Sequence, residues 1–174
     1  RNVHVIVTEN AHIPVWGTYV TTPTATKEFA KVNVRTQIVL LEGADAGKYS
    51  VKTSVWNPNG QKLTEQTIPL SQIKYNDNSL SQEFIIQTPT LWSPDMPALY
   101  SAETRLYEGD QLKDIYTTPF GIRSIEIIPN KGFFLNGEKT VFKGVCNHHD
   151  LGPLGAAVND AAIRRQIRIL KDMG

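Results

Sequence analysis

The chain has 174 residues, which is enough for one ordinary domain, or for one domain and part of another. Its 18 Lys and Arg against 17 Asp and Glu leave a formal net charge of +1, so no large field of one sign attracts nucleic acid or an anionic membrane surface. One cysteine, Cys146, excludes an internal disulfide, and no apolar run approaches the roughly 20 residues of a membrane-spanning helix.

β-rich or alternating runs predict strands through the first two-thirds of the chain. The clearest run places Val32, Val34, Thr36, Ile38 and Leu40 on one face, with polar residues between them. The predicted strands are 3–7, 15–21, 31–40, 49–55, 62–68, 80–87, 99–107 and 112–120. Their spacing of roughly ten residues, with turn chemistry between them, is typical of an antiparallel β-sandwich.

The last third predicts a different architecture. A short hairpin turns at Asn136-Gly137 and leads into an apolar strand, Thr140–Val145. A polar loop follows, and then a helix that begins near Asn159 or Asp160, either of which can cap it. Strand, loop and helix form the first half of a βαβ unit. The chain begins at Arg1 without Met and stops directly after the helical pattern at Gly174, so we expect an excised piece of a longer protein.

Three stretches carry a resemblance to a known family. They are Leu-Trp-Ser-Pro-Asp-Met-Pro-Ala-Leu-Tyr at 91–100, Phe-Gly-Ile-Arg at 120–123, and Phe-Leu-Asn-Gly at 134–137 followed by Lys-Gly-Val-Cys-Asn-His-His-Asp at 143–150. In this order and spacing they resemble glycoside hydrolase family two, the family of the large bacterial β-galactosidases and β-glucuronidases. Cys146 stands where the family usually has Asn.

The resemblance implies a fold and a role. Residues 1–127 are expected to form an all-β, immunoglobulin-like antiparallel sandwich. Residues 128–174 would be the hairpin, strand and helix that begin a truncated (β/α)8 barrel. The implied function is that of a non-catalytic segment of a retaining β-glycosidase, with β-galactosidase the favoured activity. The alternative is a carbohydrate-binding or structural sandwich module without a hydrolase partner.

The implied partners are a β-linked glycoside and the rest of the parent chain, with no cofactor, nucleic acid or membrane. Self-association into a homo-oligomer is left open. The compartment is also left open between the bacterial cytoplasm and the periplasm.

Catalytic groups are expected outside this chain. A retaining glycosidase uses two carboxyl groups about 5–5.5 Å apart. In the family these are glutamates on later barrel strands, beyond residue 174. The nearest candidates here, Glu126 and Glu138, lie at the domain link and in the hairpin, so no catalytic residue is assigned.

Substrate-binding residues are expected in the loop after the Thr140–Val145 strand, since barrel active sites lie at the C-terminal ends of strands. The resemblance implies that His148 contacts the sugar beside the scissile bond. Asp150 would contact the sugar or orient the loop. His149 is a less favoured candidate for sugar contact than His148. His-His-Asp could also hold zinc, but adjacent residues rarely point at one ion, so no metal is predicted.

Four other residues have two interpretations each. Cys146 could be a nucleophile, but a small buried residue is the favoured interpretation. The indoles of Trp16, Trp56 and Trp92 could stack on sugar rings, although packing in a core or a domain interface is favoured.

Overall fold

A computed structural model describes residues 3–41, 43–72, 79–146, 150–157 and 159–174. Contacts between residues divide the chain into two compact units. One unit spans Val7–Thr140, and the other joins Arg1–Ile6 to Val141–Gly174. The larger unit holds the sheets that the sequence predicts, and it extends past residue 127 to include the hairpin.

The strands are β1 (Ala11–His12), β2 (Thr18–Ala25), β3 (Phe29–Gln37), β4 (Val39–Leu40), β5 (Tyr49–Trp56), β6 (Lys62–Pro69), β7 (Ser79–Gln87), β8 (Tyr100–Glu108), β9 (Gln111–Phe120), β10 (Ile125–Ile128), β11 (Gly132–Leu135) and β12 (Glu138–Lys139). One α-helix, α1, spans Asp160–Asp172. Short 3₁₀ turns lie at Ala46–Lys48, Leu70–Gln72 and Gly152–Leu154.

Two antiparallel sheets face each other in the larger unit. In the described residues, one sheet has the order β2-β3-β7 and the other β6-β5-β8-β9. Burial alternates along β3, β7 and β8, as it does in strands with one face toward a core. Because apolar side chains from both sheets share the buried clusters, the arrangement is a β-sandwich.

The core contains two apolar clusters. One includes Val32 and Val34 of β3, Phe84 of β7 and Ala102 of β8, and the other includes Val51, Leu80 and Leu106. Full burial of a side chain such as Leu106 contributes about 1.5–3 kcal/mol, as an upper estimate. The two clusters together cover the inner faces of both sheets.

A buried polar layer separates the two clusters. Thr53 Oγ1 donates a 2.6 Å hydrogen bond to Gln82 Oε1, and Gln82 Nε2 donates to the Gln66 carbonyl oxygen at 2.9 Å. Thr104 Oγ1 lies 3.3 Å from Thr53 Oγ1. Gln82 belongs to one sheet and the other three residues to the opposite sheet. Its amide therefore links the sheets through the middle of the core.

Most sequence-predicted elements are confirmed, including the strands near 31–40, 49–55, 62–68, 80–87, 99–107 and 112–120. The helix begins where predicted, and Asn159 Oδ1 accepts from the Ala161 and Ala162 amides as an N-cap. Asp160 in the first turn and Lys171 in the last complement the helix dipole. No helix in the described part of the chain is long and apolar enough to cross a membrane.

Two predicted strands are wrong. Residues 3–7 and 140–145 have no strand conformation in the described structure. Val3 and Val7 are each 91% exposed, and Val141 is 74% exposed. A β-rich run becomes a strand only when a neighbouring strand takes its hydrogen bonds, and neither run has one among the described residues. In addition, β2 begins at Thr18 rather than Val15, because Trp16 has a φ of 61° and turns the chain.

An additional antiparallel sheet follows the sandwich within the larger unit. It has the order β10-β11-β12 in the described residues, and Ile125 pairs with Leu135. The sequence predicts the hairpin turn at Asn136-Gly137 but not β10. Asn136 has a φ of 52° and Gly137 one of 82°, as the tight turn requires.

The edge strands β2 and β9 both contain proline. Pro23 lies where the pairing of β2 with β3 shifts between Thr21 and Thr24, and Pro119 lies near the end of β9. Proline has no N–H to donate to a ladder, so it suits a sheet edge. Thr22 Oγ1 of β2 donates to the Arg123 carbonyl oxygen at 3.0 Å, directly after β9.

Candidate functional site

The predicted sugar-binding segment lies largely outside the described residues. His148 and His149, with Asn147, are not described, so no geometry is assigned to them. Asp150 is described and is exposed, just before the 3₁₀ turn at Gly152–Leu154. The sugar contacts expected of His148 and Asp150 therefore stay predictions.

The first two family-like stretches and the 134–137 part of the third meet at the end of the sandwich. The Trp92 amide donates to the Ile122 carbonyl oxygen at 2.8 Å. Tyr100, from the first stretch, has its ring 5.8 Å from that of Phe120, from the second. The Tyr100 hydroxyl also accepts from the Thr90 amide at 2.9 Å. The first two stretches are thus joined by backbone and aromatic contacts.

Asn136 joins the third stretch to both of the others. Its Oδ1 accepts from the Ser124 amide and its Nδ2 donates to the Trp92 carbonyl oxygen, each at 3.0 Å. Its own amide donates to the Ser124 carbonyl oxygen at 3.0 Å. A side-chain amide is suited to this position because it carries a donor and an acceptor together. We call Trp92, Gly121, Arg123, Ser124 and Asn136 the motif junction.

Trp92 is enclosed on two sides within the motif junction. A Cβ atom placed on Gly121 would lie 2.8 Å from Trp92 Cγ, a separation that no real Cβ tolerates. The Arg123 guanidinium carbon lies 5.0 Å from the centroid of the Trp92 ring, in cation–π geometry. The favoured packing interpretation of Trp92 is therefore confirmed, and Gly121 is needed for the close approach of its backbone to the indole.

A groove of about 650 Å³ lies beside the motif junction. Its lining includes Val20, Thr22 and Pro23 of β2, together with Leu99, Arg123 and Ile125. Leu99 is 52% exposed and Ile125 is 55% exposed, so the rim presents aliphatic surface to solvent. We call this feature the β2 groove.

Arg123 lines this groove, and no carboxylate among the described residues pairs with its charge. Its carbonyl oxygen accepts from Thr22, and the next amide, that of Ser124, donates to Asn136. Within the described ranges, its guanidinium has the Trp92 ring as a neighbour and no hydrogen bond or ion pair. The motif junction therefore fixes the position of a cation whose N–H donors remain available.

Other charged groups of the sandwich form surface networks. Hydrogen bonds from Lys62 and then Lys52 lower the pKa of Glu65 from its ordinary value of 4.5 to about 2. The corresponding Nζ–carboxylate distances are 2.9 and 3.2 Å. Glu9 and Glu108 each lie 3.2 Å from Lys113 Nζ, and hydrogen bonds to them raise the pKa of Lys113. Both networks are accounted for by pairing of opposite charges.

Two interpretations from the sequence need correction. Cys146 is exposed rather than buried, because the segment before it does not form the predicted strand. Trp16 is 86% exposed and does not pack into the sandwich. Its backbone has a φ of 61°, and its amide donates to the Tyr116 hydroxyl at 3.1 Å. Trp56, at the end of β5, is half-buried.

Among the described residues, no group of three or more His, Cys, Asp or Glu could hold a metal ion. The two glutamates nearest the domain link lie on opposite faces of their sheet. Glu126 of β10 pairs with Phe134 and Glu138 of β12 pairs with Leu135, and successive residues of β11 point to opposite faces. The sequence signal that best located the motif junction was the family-like stretches, since Asn136 and Gly121 carry no ionisable group.

Comparison with known proteins gives consistent matches along the chain. The model of the family described as Glycosyl hydrolases family 2 matches residues 11–123. A β-galactosidase from Bacteroides ovatus is 38% identical over 174 residues, covering 100% of this chain and 20% of that protein. A β-glucuronidase from Bacteroides fragilis is 28% identical, covering 100% of this chain and 26% of that protein.

A solved structure supports the same relationship. A glycosyl hydrolase family 2 member from Bacteroides cellulosilyticus superposes with a TM-score of 0.86 at 36% identity. The match covers 96% of this chain and 23% of that chain. The present chain thus spans about a fifth to a quarter of the length of these relatives.

Proposed function

Because the chain belongs to glycosyl hydrolases family 2, we propose that it is a non-catalytic segment of a retaining β-glycosidase whose favoured activity is that of a β-galactosidase. The observation that carries this proposal is the motif junction. The family-like stretches converge there on hydrogen bonds and packing, with no pair of carboxyl groups between them. Their role in this segment is to fix the end of the sandwich relative to the chain that follows.

The proposed domain organisation divides the segment near residue 127. Residues 1–127 would be an immunoglobulin-like sandwich, and residues 128–174 the start of a TIM-barrel catalytic domain. The order β2-β3-β7 against β6-β5-β8-β9 supports the first part, since immunoglobulin-type sandwiches divide their strands between two such antiparallel sheets. The capped helix α1 supports the second part.

The activity can be tested by comparing the 174-residue chain with the intact parent protein. We expect the parent to hydrolyse aryl β-galactosides and the isolated chain to show no turnover, because both catalytic glutamates are expected beyond residue 174. Aryl β-glucuronides and β-mannosides test the sibling activities. Turnover by the repurified chain would contradict the non-catalytic assignment. Glycoside binding without turnover by the parent would instead favour a carbohydrate-binding module.

We propose His148 and Asp150 as the substrate-binding residues of this segment. Support comes from the sequence match of Lys143–Asp150 to the family stretch and from the exposed position of Asp150. A neutral imidazole can donate a hydrogen bond to a sugar hydroxyl. Such a bond contributes to catalysis if it strengthens as the sugar approaches its oxocarbenium-like transition state.

Kinetics of the intact parent test this assignment. His148→Ala should lower kcat/KM by roughly ten- to a thousand-fold, mainly through kcat, if the bond tightens in the transition state. His149→Ala is the matched control and should cost less, because adjacent side chains point in different directions. Circular dichroism must confirm that both variants fold. If His148→Ala keeps wild-type kcat/KM while His149→Ala loses activity, the assignment of His148 is wrong and His149 is the binding residue.

A further inference from the structure

We infer that the β2 groove is a docking site for another domain of the parent chain and that Arg123 is its anchor, pairing with a carboxylate of that domain. This inference rests on the proposed function, because it requires that the segment is part of a longer enzyme. It adds an interaction surface and the chemistry of its partner.

The Arg123 guanidinium is pre-organised for a partner. Stacking over Trp92 restricts the Arg123 side chain, and the hydrogen bonds of Thr22 and Asn136 hold the peptide group that joins Arg123 to Ser124. Within the described residues its guanidinium pairs with no carboxylate, although five N–H donors are available. A planar guanidinium with available donors matches a carboxylate in bidentate geometry.

The rim of the groove indicates a protein surface rather than a sugar. Leu99 and Ile125 are more than half exposed, and Val20 and Pro23 add further aliphatic surface. Sugars are commonly held by aromatic faces and many polar groups, whereas the indole next to Arg123 is already covered by the guanidinium. Aliphatic surface around one charge is typical of a protein interface, with a polar anchor beside apolar contacts.

The rest of the parent chain is favoured over a second copy. The chain spans about a fifth of the length of its β-galactosidase relative, so most of such a protein lies outside this segment. A covalently linked domain is present at a high effective concentration and needs less intrinsic affinity than a separate molecule. One acidic side chain on that domain would supply the missing charge.

Site-specific cross-linking in the intact parent tests the inference. Leu99→p-benzoylphenylalanine places a photoreactive ring on the rim of the groove, and mass spectrometry identifies the peptide captured. We expect an intramolecular cross-link to a peptide that contains Asp or Glu and lies outside residues 1–174. Capture of a second copy, or no capture in a folded parent, would overturn the inference.

Charge variants then test the anchor itself. Arg123→Glu should reduce the cross-link yield about tenfold or more, since a hydrogen bond to a charged group is lost and a like charge is introduced. Arg123→Lys should have an intermediate yield, because it keeps the charge but loses the planar fork. Lys27→Glu is the matched control, an exposed lysine on the loop between β2 and β3, and should leave the yield within two-fold.

Charge exchange and an activity assay complete the test. With Arg123→Glu in place, changing the captured acidic residue to Arg should restore the cross-link yield. If the yield is unchanged in both Arg123→Glu and Arg123→Lys, Arg123 is not the anchor. Circular dichroism separates loss of docking from loss of folding. A parent without glycosidase activity but with the expected cross-link would refute the proposed function and leave the docking site standing. An active parent without the cross-link would overturn the docking site and leave the proposed function standing.

Discussion

Asn136 donates a hydrogen bond of 3.0 Å to the main-chain carbonyl oxygen of Trp92, although 44 residues separate them in sequence. The same side chain accepts from the Ser124 amide. One amide group thus joins the loop before β8 to the segment after β9 and to the β11–β12 turn. The hairpin is thereby connected to the sandwich by directional bonds and is not attached by the chain alone.

Substitution of Asn136 should destabilise the larger unit in two separable steps. Asn136→Gly tolerates the φ of 52° but removes both side-chain hydrogen bonds, so we expect a loss of about 1–3 kcal/mol in the free energy of unfolding. Asn136→Ala removes the same bonds and adds strain at positive φ, costing about 1 kcal/mol more. Urea denaturation measures both, and equal losses would show that the backbone conformation is unstrained.

Gly121→Ala should also destabilise the sandwich. The added methyl would lie 2.8 Å from Trp92 Cγ, so the indole or the backbone must move. We expect a cost of roughly 1–3 kcal/mol, typical of overpacking. Gly144→Ala is the matched control, because a Cβ there meets nothing within 4 Å. Similar thermal unfolding midpoints for the two variants would contradict this reading of Gly121.

Substitution of Gln82 alone should lower the free energy of unfolding more than substitution of Gln82 and Thr53 together. Gln82→Leu removes the 2.6 Å partner of the buried Thr53 hydroxyl, which keeps only Thr104 Oγ1 at 3.3 Å, and removes the donor to the Gln66 carbonyl oxygen. We expect a loss of about 1–3 kcal/mol, chiefly from the Thr53 hydroxyl. Thr53→Val combined with Gln82→Leu removes one of these groups and should recover part of the loss. A double-mutant cycle in chemical denaturation measures the coupling, and strict additivity would refute it.

The Glu65 network predicts a dependence of stability on pH. Its pKa of about 2 is below the ordinary 4.5, so the folded state favours the carboxylate. The contribution to stability is present above about pH 4.5 and is lost as the pH falls toward 2. Glu65→Gln should therefore be less stable than the wild type at pH 6, with the difference disappearing near pH 2. Adding 1 M salt at pH 6 should also reduce the difference in stability between the two proteins. If that difference does not change with pH, the ion pairs of Glu65 are not its cause.

Replacement of Trp16 should raise stability. A bulky residue at a φ of 61° costs about 1 kcal/mol, whereas Asn adopts this conformation readily. Since the Trp16 side chain is 86% exposed, Trp16→Asn gives up little buried surface and should gain about 1 kcal/mol. Trp16→Val has a β-branched side chain and should lose stability. If both variants are destabilised in denaturant titrations, the indole makes contacts that outweigh the strain.

The sandwich could be predicted from the sequence because its strands carry their own pattern. Val32, Val34 and Thr36 are buried and alternate with polar residues that are less buried, as the period of two predicts. The helix could be predicted for the same reason, since Asn159 caps it where the helical pattern begins. In each case the local pattern and the tertiary environment favour the same conformation.

Other features depend on partners that a local pattern does not reveal. Val3–Val7 and Thr140–Val145 have strand composition but no neighbouring strand in the described structure, and β10 forms because β11 pairs with it. Asn136 and Gly121 carry no titratable group, so chemistry alone did not single them out. The predicted His148 site lies outside the described residues and stays a prediction.

The prolines on the two edge strands restrict how the β2 groove can bind. Pro23 and Pro119 both line it, and neither can donate a main-chain hydrogen bond. An incoming extended segment would therefore find an interrupted ladder, which disfavours recognition by strand addition. Selectivity at this surface should depend on the side chains of the bound segment, so its sequence would matter more than its ability to become a strand.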